Sequence, residues 1–215
     1  MNSIAYTFTI GPGSLSWQGL YLLRSISKNT GAEKEDIFVY IVEGEKDDIK
    51  DEVLDEVQEK ATIIEGPMPN DEYPLSAAHG ALKKASEVCN HNYLALLDTD
   101  IVVLDNITIH EEEEAELFVA PEVISHQFWA SKDKSGKLFR SLFEKYGFDY
   151  PENEKVVSNY DRKEINPYYN SGVIVTENND FPERYLELSR DIHGELPEKN
   201  YNSDMISLSL LAQDY

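Results

Sequence analysis

The sequence predicts an α/β fold: a mainly parallel sheet flanked by helices. Short apolar runs alternate with helix-period segments from residue 4 to residue 104, the order that parallel strands and crossover helices require. The runs Leu94–Leu97 and Ile101–Leu104 are continuously apolar, as strands covered on both faces are. Turn formers such as Gly11-Pro12-Gly13-Ser14 and Gly66-Pro67-Met68-Pro69-Asn70 punctuate the alternation.

Ile4–Ile10 reads as the first strand, closed by the Gly-Pro-Gly turn. Leu15–Ser27 carries Leu15, Leu20, Leu23 and Ile26 at helical spacing, with Ser14 or Ser16 available as a cap. A strand over Ile37–Val42, a charged amphipathic helix from Asp47 to Lys60 and a strand over Ala61–Ile64 follow. A helix over Leu75–Val88 then leads into Tyr93–Leu104, which reads as a strand interrupted by Asp98 and Asp100. The second half is less regular. Glu111–Glu114 reads as a solvated loop or helix start. Leu117–Ala120 is a short strand, Lys137–Tyr146 a helix and Asn153–Ile165 a polar loop. Val173–Thr176 is a β-branched strand, and Pro182–Ile192 and Ser203–Ala212 are helices.

A chain of 215 residues with 41% hydrophobic content can bury a sizeable core, as one domain or one domain with an appended lobe. There are 41 acidic residues against 19 basic ones, for a net charge of -22. Such a surface repels nucleic acid and anionic membranes. It also repels small polyanions unless a metal or a local basic group screens the site. Cys89 is the only cysteine, which precludes an intrachain disulfide or a Cys-based zinc site and fits a reducing cytoplasm. The opening MNSIAYTFTIGPGS lacks the basic start and apolar run of a signal peptide. No stretch approaches the about 18 apolar residues of a membrane span. A cytoplasmic globular protein is expected, with no nucleic-acid partner and no integral membrane segment.

Side chains alternate faces in extended backbone, so Asp98 and Asp100 should point one way and Thr99 the other. Two carboxylates on one face of a buried strand repel each other and lose hydration. A shared proton, an Arg or Lys partner, or a divalent cation could compensate. Mg²⁺ and Mn²⁺ favour oxygen ligands and commonly hold one or two carboxylates together with substrate phosphates.

The segment from Tyr93 through Asp98-Thr99-Asp100 to Asp105-Asn106-Ile107 resembles the metal-binding segment of GT-A glycosyltransferases. It is most similar to the glycogenin-like and lipopolysaccharide galactosyltransferase-like retaining family (family 8-like). Tyr169-Asn170-Ser171-Gly172-Val173 resembles that family's aromatic-Asn-Ser-Gly-Val strand, in the same order along the chain. The resemblance implies a GT-A, Rossmann-like single domain over residues 1–215. Residues 1–107 would be its nucleotide-sugar half and 108–215 a reduced acceptor-side half. It implies that Asp98 and Asp100 hold Mn²⁺ or Mg²⁺ on the diphosphate of a nucleotide sugar, a UDP-sugar first. Asn170, Ser171 and Gly172 would line the sugar-acceptor side. The first strand end, including Ile10 and Gly11, would meet the nucleoside, and Thr99 would lie against the donor. Asp204 matches an acid facing the donor sugar, although Met205 stands where the family has Gln. His79 or Lys83 would reach the donor from the preceding helix. Asp204 and Asn170 would then be the catalytic candidates of a hexosyltransferase that retains configuration, and a retaining enzyme of this kind needs no dedicated general base. The acceptor, whether carbohydrate, lipid or protein, is left open.

One departure matters. The family's third metal ligand, a His in a His-x-x-Gly-x-x-Lys-Pro-Trp pattern, has no match up to Tyr215; His193-Gly194 does not fit. Water and phosphate complete the coordination, or the closing lid is absent, or metal dependence is lost. A non-catalytic domain that binds sugar, nucleotide or a partner protein is therefore the alternative. A sugar nucleotidylyltransferase would need a basic Gly-rich loop after the first strand, and no basic residue occurs there before Arg24. A phosphohydrolase would place its Asp pair on an earlier strand.

Overall fold

The computed structural model describes residues 3–109, 115–121, 134–152, 154–196 and 202–215. The acidic run 111–114 lies outside them. Strands β1 (Ile4–Ile10), β2 (Ile37–Val42) and β3 (Thr62–Gly66) pair in parallel, and β4 (Tyr93–Leu97) pairs in parallel with the other edge of β1. Beyond it, β8 (Tyr169–Glu177) runs antiparallel to β4, and β5 (Leu117–Pro121) antiparallel to β8. The order β3-β2-β1-β4-β8-β5 therefore reverses its direction of growth between β1 and β4. In such sheets the loops after those two strands diverge and leave a crevice at their carboxyl ends.

Alternation along the strands divides the core into two layers. Tyr6, Phe8, Ile10, Val39, Ile41, Ala95 and Leu97 face helices α1 (Ser14–Asn29) and α2 (Asp51–Lys60). Phe38, Tyr40, Leu94, Leu96 and Ile174 face α3 (Ser76–Val88), α5 (Phe181–Glu195) and α6 (Ser203–Leu211). Phe139 and Phe143 of α4 (Lys134–Tyr146) extend the second layer. No described helix is long and apolar enough to cross a membrane.

Three expectations are corrected. Strand β4 ends at Leu97, so Ile101–Leu104 is not strand. The ladder continues for one hydrogen bond, from the Asp98 N–H to the Gly172 carbonyl at 2.8 Å. The Ile101 N–H then donates to the Asp98 carbonyl at 3.2 Å and turns the chain. Val103 is held against α1, its N–H donating to Ser25 Oγ and its carbonyl accepting from Asn29 Nδ2. Val102 and Leu104 are exposed. Second, the charged helix begins only at Asp51, after a 3₁₀ turn over Lys46–Asp48. Asp51 and Glu52 there complement the positive helix end. Third, the segment around 153–165 contains a small antiparallel ladder of β6 (Val156–Val157) with β7 (Glu164–Ile165); Asn153 lies outside the described residues.

Candidate functional site

A cleft of about 430 Å³ opens at the carboxyl ends of β1 and β4, the switch point of the sheet. Its lining mixes two chemistries. Pro12, Leu15, Met68, Pro74 and Leu75 supply apolar wall; Asp98, Asp100, Asp204, Ser171, His79 and Tyr185 supply a polar floor. Glu45 also lines it, and among the described residues no Lys or Arg does.

The turn after β1 puts Ile10 and Gly11 on the wall, beside Thr9. A Cβ on Gly11 would lie 3.2 Å from Glu45 Oε2, so the absent side chain keeps this end open. Gly13, at φ 72°, takes the left-handed conformation that glycine tolerates and starts α1. Ser14 and Ser16 do not cap that helix; the Ser16 hydroxyl instead donates to the Gly13 carbonyl at 2.8 Å.

Asp98 follows Leu96 on the α3–α5–α6 side of the sheet, and the turn behind it brings Thr99 and Asp100 onto the same cleft. Asp98 is reachable from solvent, but protein crowds it. Desolvation, then the charges of Asp100 and Asp204, raise its carboxyl to about 6. Gly172 makes the approach possible, because a Cβ there would stand 3.0 Å from Asp98 Oδ2 and 2.9 Å from Asn170 Oδ1. Asn170 Oδ1 accepts from the Gly172 N–H at 2.9 Å. Asn170 and Gly172 thus shape the strand end without lining the cleft, whereas Ser171 lines it and donates to Asp204 Oδ2 at 2.6 Å.

Helix α3 carries His79 to the floor because Gly80 lets the helix settle on Tyr40 and Pro69; a Cβ would be 2.9 Å from the proline ring. His79 is 2% exposed, and burial pushes its pKa down to about 4 despite the nearby Asp204 charge. It is a neutral group. Its ring stands edge-on to Tyr185 at 4.4 Å, while Tyr73 stacks on His193 at 4.7 Å. Burial, then the Asp204 charge, raise the phenol pKa values of both Tyr73 and Tyr185.

Lys83 is not brought to the site. One turn along α3 from His79, it pairs on the surface with Glu183 at 2.5 Å and Glu87 at 3.3 Å. Conversely, Tyr185 and Glu45 line the cleft without a sequence signal: Tyr185 sits on the apolar face of a helix and reads as core.

Among the described residues no group of three or more His, Cys, Asp or Glu stands close enough to hold a metal ion. The donor set still suits a hard cation, since Asp98 and Asp100 offer carboxylate oxygens and, among the described residues, no Lys or Arg lines the cleft beside them. Remaining coordination positions would fall to water and ligand oxygens.

A profile of the Rhodobacterales glycosyltransferase domain matches residues 6–214. Comparison with curated protein sequences gave no match. Among solved structures, the galactosyltransferase LgtC in complex with donor and acceptor sugar analogues superposes with a TM-score of 0.59 at 14% identity, over 97% of this chain and 71% of that one. The glycosyltransferase GlyE of Streptococcus pneumoniae TIGR4 gives 0.51 at 14%, over 98% of this chain and 44% of that one. The apo bifunctional glycosyltransferase WbbM gives 0.55 at 11%, over 99% and 38%. This chain therefore spans less than half the length of the last two. The shared feature at these identities is the GT-A fold.

Proposed function

Because the chain belongs to the Rhodobacterales glycosyltransferase domain family, we propose that it moves a hexosyl group from a nucleotide-diphosphate sugar to an acceptor. A UDP-sugar is the first candidate donor, and a carbohydrate, lipid or protein the acceptor. The observation that carries the reading is the charge of the cleft at the switch point. Among the described residues Asp98, Asp100, Asp204 and Glu45 line it and no Lys or Arg does, so a diphosphate would enter with a cation that joins it to the wall. Asp98 and Asp100 would hold Mn²⁺ or Mg²⁺. Such an ion, when bound, offsets the charge that builds on the departing nucleoside diphosphate.

The remaining roles belong to the chain itself. The apolar wall from Pro12 to Leu75 would cover the base, and Gly11 leaves room for it at the end of β1. Ser171 fixes Asp204 by its 2.6 Å hydrogen bond, which keeps one carboxylate oxygen directed for a sugar hydroxyl. Asn170 and Gly172 would set the wall on the acceptor side. Thr99 would contact the diphosphate, and neutral His79 the sugar. Lys83 could reach the donor only by leaving Glu183 and Glu87. Retention of configuration follows from the resemblance to the glycogenin-like family and asks for no separate general base.

A second reading is a non-catalytic domain that binds sugar or nucleotide. The absence of a three-ligand metal group among the described residues favours it. Thermal shift with a panel of nucleotide sugars in Mn²⁺ tests the first reading, because a ligand that binds only the native state raises its melting temperature. A metal-dependent shift with slow donor hydrolysis supports the enzyme. A metal-independent shift without hydrolysis supports the binder.

A further inference from the structure

The apolar wall and the acidic floor of the cleft come from distant parts of the chain. Met68, Pro74 and Leu75 belong to the loop between β3 and α3, and Asp204 to the first turn of α6. Tyr73 lies in that loop but is 1% exposed and does not line the cleft. A tight turn fixes its backbone: the Tyr73 N–H donates to the Asn70 carbonyl at 3.0 Å, and its carbonyl accepts from the Ser76 N–H at 2.9 Å. The other end of the loop is pinned by Tyr40 of β2, whose hydroxyl donates to the Pro67 carbonyl at 2.6 Å.

The Tyr73 side chain leaves this turn for the second half of the molecule. Its ring stacks on His193 of α5, with centroids 4.7 Å apart and planes 23° from parallel. Its hydroxyl bonds with the Ser203 side chain and with both the backbone and the side chain of Asp204. The last two bonds have opposite senses. The backbone bond favours the ionised phenol, as an N–H donor does, and the carboxylate bond opposes it, as an acceptor does. The phenol therefore gives its proton to the Asp204 carboxylate and accepts from the Asp204 N–H. That N–H is one of the donors that a helix start leaves unpaired, and Asn202 gives α6 no side-chain cap. Tyr73 supplies the cap from outside the helix. With Ser171 at 2.6 Å from Oδ2, Asp204 is held by β8 and by the wall loop together.

We propose that Tyr73 is a positioning residue that couples the wall to the floor, so that a nucleotide engaging Pro74 and Leu75 also orders the start of α6 and with it Asp204. This coupling rests on the nucleotide-sugar reading above. Pro74 and Leu75 follow Tyr73 directly, so a base packed on them restrains the turn, and the phenol passes that restraint to the helix.

Hydrogen exchange of the full chain in Mn²⁺, with and without UDP, for wild type and Tyr73→Phe, tests the coupling. UDP carries base and diphosphate but no hexose, so it reaches the wall without a sugar for Asp204. In the wild type, saturating UDP should slow exchange about tenfold both over residues 67–76 and over 202–206, the size of one buried hydrogen bond. Tyr73→Phe keeps the ring on His193. It should bind UDP within about threefold and still protect the loop, while protection over 202–206 is lost. Without ligand, the variant should exchange about tenfold faster over 202–206 and no faster in the sheet. Wild-type UDP binding that leaves either segment unprotected would overturn the coupling, whatever the variant does. So would equal protection of α6 in both proteins, or ligand-free exchange over 202–206 that the substitution leaves unchanged. Faster exchange throughout the sheet, or loss of UDP binding in the variant, would make Tyr73 a plain support of the fold. Each of these leaves the donor reading standing. A wild-type chain that binds no UDP would instead sink the donor reading, and the coupling with it.

Discussion

Asp98 and His79 titrate in opposite senses within one cleft. Asp98, raised from 3.8 to about 6, holds more protons in the folded than in the unfolded state between about pH 4 and pH 6. Its contribution to stability therefore falls as pH rises through that window. His79, lowered from 6.5 to about 4, binds fewer protons folded than unfolded, so its contribution is lost as pH falls from about 6.5 to about 4. The slopes oppose each other in the wild type. Asp98→Asn removes one of them, and its melting temperature in ligand-free buffer should climb more steeply with pH, exceeding the wild type most near pH 7; parallel curves would contradict the crowding of Asp98. The same proton would compete with the proposed cation. A Mn²⁺-dependent thermal shift should accordingly be weak at about pH 5 and full above about pH 7. Asp100→Asn should abolish that shift and leave the unliganded melt within a few degrees, which scanning fluorimetry reads directly. The acids were legible in the sequence because charged residues flanked by apolar runs are conspicuous. Lys83 misleads because the acids that pair with it, Glu87 and Glu183, come from one turn along its own helix and from a distant one. Tyr185 is hidden because its spacing suits a core position and its hydroxyl leaves no pattern.

At the scale of elements, close approach of α1 to β1 sets the position of the turn at Gly11. A Cβ on Gly19 would lie 2.2 Å from Ile10 Cγ2, so the helix rests on the strand only because that atom is missing. Gly19→Ala would gain about 1 kcal/mol of helix propensity. The overlap should outweigh this, since overpacking costs about 1–3 kcal/mol and 2.2 Å is far inside contact distance. A melting temperature lowered by several degrees is expected, with weaker nucleotide binding as the β1 turn shifts; an unchanged or higher melt would contradict the packing. The bounds of β1 and β2 could be read from sequence because each is an apolar run closed by turn formers or charge. The strand assigned through Leu104 failed for the opposite reason. Ile101–Leu104 is as apolar as Leu94–Leu97, yet Ser25 and Asn29 of α1 divert it at Val103. Such long-range side-chain bonds have no local signature. The antiparallel setting of β8 likewise depends on the whole second half of the chain.

For the molecule as a whole, a net charge of -22 and a cleft lined by carboxylates act in the same direction. Self-repulsion is screened as ionic strength rises, with a Debye length near 10 Å at 0.1 M salt. The ligand-free chain should melt higher in 0.3 M than in 0.01 M sodium chloride, and a flat response would mean that the surface charge is locally compensated. Salt cannot supply the role proposed for a divalent ion at Asp98 and Asp100, which is to join an acidic wall to an anionic ligand. Calorimetric titration of UDP into the wild-type chain, with Mn²⁺ and then with the ion chelated, tests that claim most directly. Saturable binding in Mn²⁺ that disappears on chelation is the predicted result. UDP binding of equal strength without the ion, or none under either condition, would contradict it.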